Sequence, residues 1–134
     1  MKNVAIAFVA MFLIFSCTPM KKSATMSNSQ PTLVGTSWKM ADKVSGKVPT
    51  LVFEEGKVSG NAGCNNFFGM ADVMMSSGKV SFSNMGSTKM MCADMSVEDS
   101  FMMMLPKINK YVISGNTLEL YQDKLLLMKF NKTK

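Results

Sequence analysis

From Thr32 to Phe130 short runs alternate apolar with polar residues and are separated by turn residues. That period of two constrains the fold more than any other feature of the chain. Trp38-Lys39-Met40 follows Gly35-Thr36-Ser37, and Leu51-Val52-Phe53 leads through Glu54-Glu55-Gly56-Lys57 to Val58-Ser59-Gly60-Asn61. Gly69 to Met74 precedes Ser76-Ser77-Gly78, and Lys79-Val80-Ser81-Phe82 alternates cleanly. Tyr111-Val112-Ile113, Thr117 to Tyr121 and Lys124 to Phe130 complete the series, divided by Gly115-Asn116 and Gln122-Asp123. Such spacing predicts an antiparallel meander or barrel. Leu125-Leu126-Leu127-Met128 is apolar on both faces and is expected mid-sheet or under a helix.

One segment breaks the period. Val97, Phe101, Met104, Leu105 and Ile108 share one helical face. Ser96-Val97-Glu98-Asp99 reads as a capping box with Asp in the acidic position. Acids in the first turn, with Lys107 and Lys110 at the end, suit the helix dipole. Pro106 is expected to end or distort the last turn. The expected helix spans about 97–107, over or plugging a curved sheet. The fold class is therefore α+β, mainly β: a small antiparallel β-barrel-like meander with one α-helix. Its expected core holds Trp38, Phe53, Val80, Phe101, Leu105, Leu118, Leu120 and Leu126.

Composition narrows the chemistry. All fifteen basic residues are Lys, with no Arg and no His, against nine acids, for a formal charge of +6. Without His there is no Ser-His-Asp or Cys-His triad and no imidazole metal ligand. Without Arg there is no bidentate phosphate fork. Carboxylates occur at Asp72, Asp94, Glu98 and Asp99, but no spacing pairs two of them, so no enzyme, cofactor or metal is expected. The lysines are scattered and lack interleaved aromatics, which argues against nucleic acid and for solubility near an anionic envelope.

The N-terminus points to export. Lys2 precedes twelve uninterrupted apolar residues, Val4 to Phe15. That run is short for a membrane span, which needs about 20 residues, and fits a secretory h-region. It ends in Ile14-Phe15-Ser16-Cys17, which resembles a bacterial lipobox with a bulky residue at −2. Residues 1–16 are then a signal peptide and Cys17 carries the lipid. Residues 17–31, rich in Ser, Thr, Asn and Lys, form a flexible tether. The domain occupies 32–131 and a short tail 132–134. Thr18 after the Cys is not the Asp that resembles an inner-membrane retention signal. The expected location is the envelope, lipid-anchored at the outer membrane and facing the periplasm.

Gly60-Asn61-Ala62-Gly63-Cys64-Asn65-Asn66-Phe67-Phe68-Gly69 resembles the G-x-x-G-C-N-x-[FY]-x-G signature of the META domain, the HslJ-like family of envelope proteins. Trp38 stands at the place of the family's opening tryptophan. Thr88-Lys89-Met90-Met91-Cys92 is similar to its T-x-M-x-C element, and Glu98, Phe101 and Leu105 to its E-x-x-F-x-x-x-L helix. The likeness covers 33–130. It implies a small barrel-like β fold with one helix. It also implies a part in envelope stress tolerance or antibiotic resistance, as the family is implicated in bacteria, with no established enzymatic activity.

The signature residues have a structural and a binding reading. Gly60, Gly63 and Gly69 open backbone conformations closed to other residues, and Asn65 and Asn66 can satisfy loop amides. They describe either a shaped connection pegged by Asn65 or a ligand site on the same loop. Cys64 and Cys92 are an even pair in an oxidising compartment. A disulfide is the first expectation, between a T-x-M-x-C strand and the loop, and two buried thiols the alternative. The sixteen methionines are read first as core and rim packing and second as soft-metal ligands, with Met102 and Met103 off the helix face as a possible apolar patch. The function expected is a non-enzymatic envelope lipoprotein with a protein or lipid partner. The alternative is a small-molecule or lipid-binding β-barrel, which a wide apolar cavity would favour.

Overall fold

Every period-2 run forms a strand. The computed structural model describes residues 29–133; the expected signal peptide, Cys17 and the expected tether as far as residue 28 lie outside them. The strands are β1 (Thr36–Met40), β2 (Thr50–Glu54), β3 (Lys57–Asn61), β4 (Asn66–Met74), β5 (Lys79–Ser87), β6 (Lys110–Ser114), β7 (Thr117–Gln122) and β8 (Leu125–Lys132). Each pairs antiparallel with the next, and β1 pairs with β8 through Trp38 opposite Lys132 and Met40 opposite Phe130, closing the barrel. Closure gives every strand two neighbours and so covers most of the strand edges, the usual liability of a β sheet.

The β5–β6 seam is the weak one, with a single registered pair, Lys79 opposite Lys110. The chain between these strands carries the helix α1 (Ser96–Met104) and a 3₁₀ turn, Leu105–Lys107, with Pro106 inside it. Pro cannot donate to the α ladder, so the last turn tightens there. Lys110 belongs to β6 and lies 5.6 Å from the Tyr121 ring centre, so it takes no part in capping the helix. Phe101 points from α1 into the barrel, 5.3 Å from the ring of Phe67 and 6.5 Å from that of Phe130. Leu105 and Ile108 follow it inward.

The interior is filled by large side chains: Trp38, Tyr111, Phe53, Phe67, Phe101 and Phe130 are all buried. Trp38 donates its indole N–H to the Thr36 hydroxyl at 2.7 Å, so burial leaves that polar group paired. Of the expected core, all but Leu126 are buried. Leu126 is exposed because β8 carries an extra residue against β7: Leu120 faces Met128, while Tyr121 faces Leu126. The bulge places Leu127 between those pairs and reverses the alternation of sides. Leu126 therefore turns outward, and Leu125 beside the β7–β8 turn is exposed as well, although β8 is paired on both sides and its Leu127 and Met128 lie against α1 as expected.

Both domain edges reach past the sequence-based bounds. Gln30 donates its N–H to the Met75 carbonyl at 2.8 Å and accepts from Ile113 N–H at 2.9 Å. The Tyr111 hydroxyl donates to the Pro31 carbonyl. At the other terminus Lys132 lies within β8, and Thr133 N–H donates to Ser37.

Leu105→Ala is expected to cost about 3 kcal/mol, the usual range for a leucine lost from a closed core. Urea denaturation of the variant measures it; a loss below about 0.5 kcal/mol would mean that the helix does not seal the barrel.

Candidate functional site

The signature residues gather at one end of the barrel, where the β3–β4 loop, the passage from Thr88 to Met95 and the first turn of α1 meet. Gly60 lies in β3, and a Cβ there would overlap the Thr50 carbonyl of β2. Gly63 sits in the loop at φ 125°, and its missing side chain leaves room for Val97, about 3.0 Å from where a Cβ would stand. The loop can thus press directly on the helix. Gly69 lies in β4 opposite a bulge in β5, where Asn84 takes φ 50° and the Met85 sulfur covers the glycine.

Asn65 is the centre of the cluster and is buried. Its side-chain oxygen accepts from the Thr88 hydroxyl at 2.7 Å and from Met90 N–H at 2.6 Å. Its amide nitrogen donates to the Met90 carbonyl and to Glu98 Oε1, both at 3.0 Å. An asparagine side chain offers two donors and two acceptor sites, and all four are used. The Asn65 backbone N–H donates to the other Glu98 oxygen, at 2.5 Å. Glu98 is only 7% exposed. One asparagine and one glutamate thus tie together three segments far apart in sequence.

The helix start differs from the expected capping box. Ser96 is the first helical residue, its preceding cap position is Met95, and no Met95 side-chain bond caps the helix. The Asp94 carboxylate accepts from Ser96 N–H at 2.9 Å, and hydrogen bonds from the Ser96 hydroxyl and amide hold its carboxyl below the usual range. Asp99, the acidic member of the expected box, is exposed, and Glu98 turns inward to Asn65. The T-x-M-x-C element is not a strand: β5 ends at Ser87, and Thr88 to Cys92 runs as an irregular passage held by Asn65.

Cys64 and Cys92 form a disulfide with their Cα atoms 6.1 Å apart, within the normal span of such a bond. Cys64 is buried and Cys92 lies at the surface. The bond fastens the passage to the loop beside the Asn65 cluster, so polar and covalent ties reinforce the same junction.

Asn61, within the signature run but not among the residues singled out from sequence, is also buried. Its side-chain oxygen accepts from Gly63 N–H at 3.0 Å, and its nitrogen donates to the Cys64 carbonyl and to Asn66. Thr50 supports it from β2 by accepting from Asn61 N–H. The available signal was a polar residue two positions before a loop glycine, the spacing of an Asx turn.

Beside this junction a groove of about 480 Å³ opens between Lys47, Gly63, Met90, Cys92, Asp94 and Val97. A second groove, of about 280 Å³, lies between α1 and the sheet, lined by Met40, Val44, Phe101, Met104 and Leu127. It falls just below the volume of common ligand pockets. Among the described residues no three His, Cys, Asp or Glu side chains gather as a metal site. No helix among them is long and apolar enough to cross a membrane.

The architecture defines a closed eight-stranded β-barrel, plugged by one helix and clipped there by a disulfide. The chain belongs to the META domain family, whose model matches residues 31–134. It is similar in fold to the NMR structure of a protein from Burkholderia xenovorans. That likeness has a TM-score of 0.64 at 22% identity and covers 76% of this chain and 84% of that one. A second NMR structure gives 0.59 at 19% identity, over 76% and 95% of the two chains. The crystal structure of a DUF4847 family protein from Bacteroides vulgatus gives 0.55 at 15% identity, over 74% and 93%. No curated protein matches the chain.

Proposed function

We propose that this META-domain protein is a non-enzymatic, lipid-anchored module of the bacterial cell envelope. It supports tolerance of envelope stress by binding a partner. The observation that carries the non-enzymatic reading is the saturation of the signature. Both oxygens of Glu98 and all four side-chain positions of Asn65 are spent on one another and on the backbone. The two described cysteines are spent on a disulfide. Residues so engaged are poor candidates for general acid, base or nucleophile, which must reach a substrate atom.

Gln30 is bound to Met75 in the β4–β5 turn, and β4 leads to that turn from the signature loop at its other end. On this reading the flexible tether joins the domain at the end opposite the loop, which leaves the loop and its groove free to meet a partner. The filled interior speaks against the alternative of a ligand held within the barrel, and for binding at a surface.

The lipid anchor has a direct test. A diacylglycerol supplies the two chains that stable attachment requires. Cys17→Ser is expected to abolish labelling by radioactive palmitate and to leave an unprocessed precursor. Unchanged label would end the lipoprotein reading. Lipid that co-purifies stoichiometrically with the natively extracted domain, seen by mass spectrometry, would favour the lipid-binding alternative.

A further inference from the structure

Core and rim packing accounts for only half of the described methionines. Among the described residues Met128 alone is buried, at 2% exposure. Met40, Met85, Met95, Met102 and Met104 are half-buried. Met70, Met74, Met75, Met90, Met91 and Met103 are exposed, from 45% for Met70 to 93% for Met91. Met102 packs against the core, so the expected patch of Met102 and Met103 reduces to Met103. The six exposed thioethers are spread over β4, its turn, the disulfide-bound passage and the outer face of α1, and none of them belongs to the core.

We propose that these six side chains are a sacrificial oxidant-accepting layer, which takes up hypochlorous acid or hydrogen peroxide without loss of the fold. The thioether sulfur attacks peroxide at oxygen, and hypochlorous acid at chlorine, where water then displaces chloride from the sulfur. A sulfur–oxygen bond forms, the oxygen–chlorine or oxygen–oxygen bond breaks, and sulfur gives up two electrons to become a sulfoxide. Hypochlorous acid leaves as chloride and a proton, and peroxide leaves as water. The fastest competitors are withdrawn, while the exposed lysine amines and the half-buried Tyr121 react with hypochlorous acid more slowly than a thioether does. The described cysteines are already a disulfide, and Trp38 and Tyr111 are buried. A sulfoxide is polar and disrupts a core, but at these positions it meets water. The same change at Met128 would place a polar group between β7 and β8 in the core. The inference concerns the described domain and holds with or without an anchor at Cys17.

Graded hypochlorite on the purified full chain, followed by peptide mapping and thermal melting, tests the chemistry. Met91 is expected to oxidise first and the other five exposed methionines next. Met128 should lag by at least about tenfold in dose, as exposure governs susceptibility. The melting midpoint should move by no more than about 3 °C, less than the effect of a 1 kcal/mol change in a domain of this size. Oxidation of Met128 at the dose that oxidises Met91, or loss of the melting transition while the six react, would overturn the proposal. A second arm tests the role, with all six positions changed to Leu, a volume-conserving exchange. Cells carrying this variant, folded and expressed as the wild type is, should lose the survival advantage under hypochlorite that the wild type confers. Equal survival with the wild type, the variant or neither would refute an oxidant-accepting role.

Discussion

Replacing Glu98 by Ala is expected to destabilise the protein by about 4 kcal/mol, chiefly because two buried donors lose their acceptor. The carboxylate is nearly enclosed, and both oxygens accept from Asn65. Its removal strands the Asn65 backbone N–H and one side-chain N–H in the interior, each at a cost of about 1–3 kcal/mol. It also takes an acid from the first turn of α1, worth up to about 1 kcal/mol against the helix dipole. Glu98→Gln keeps the shape but turns an amide NH₂ toward Asn65's own donors, so an intermediate loss of about 2 kcal/mol is expected. Urea denaturation of the two variants gives both numbers. A loss below about 1 kcal/mol in Glu98→Ala would mean that water replaces the carboxylate freely.

Removing the disulfide is the second large effect. The bond joins residues 28 apart in sequence, for which the chain-entropy model gives about 3–4 kcal/mol. The Cys64→Ser, Cys92→Ser double variant should lose that much while keeping the barrel, since the bond secures the passage and joins no two strands. Amide exchange should quicken between Thr88 and Met95 and change little in β6 to β8. Protein trapped by alkylation straight from intact cells should carry no label at either of these two cysteines. Quantitative labelling of both would place the bond outside the native state.

Much of this architecture could be read from the chain because strand patterning is local. All eight strands and the helix are visible as changes of period, and Pro106 marks the change of helix type. Closure is not visible: nothing near Trp38 announces that Lys132 will stand opposite it. The failures also have local causes. One extra residue at Leu127 turns Leu126 outward, and a pattern of apolar residues carries no mark of a bulge. Asp94 accepts from the Ser96 N–H two residues on, and the Asp99 N–H that Ser96 was expected to cap donates to the Met95 carbonyl, so the helix starts one residue early. The signature was recognisable as a set, but the bond from Asn65 to Glu98 crosses 33 positions and has no sequence period. The methionines misled for a further reason. Aromatic and leucine side chains already fill the barrel, so half of the described thioethers were left exposed.

Asn65 and Glu98 acting as one brace should be strongly non-additive. In a double-mutant cycle of Asn65→Ala and Glu98→Ala, a coupling of about 2–3 kcal/mol is expected, at the upper end for residues sharing a network. A coupling below about 0.5 kcal/mol, with each single variant as stable as the wild type, would contradict a structural role for the signature and return those two residues to the binding of a ligand.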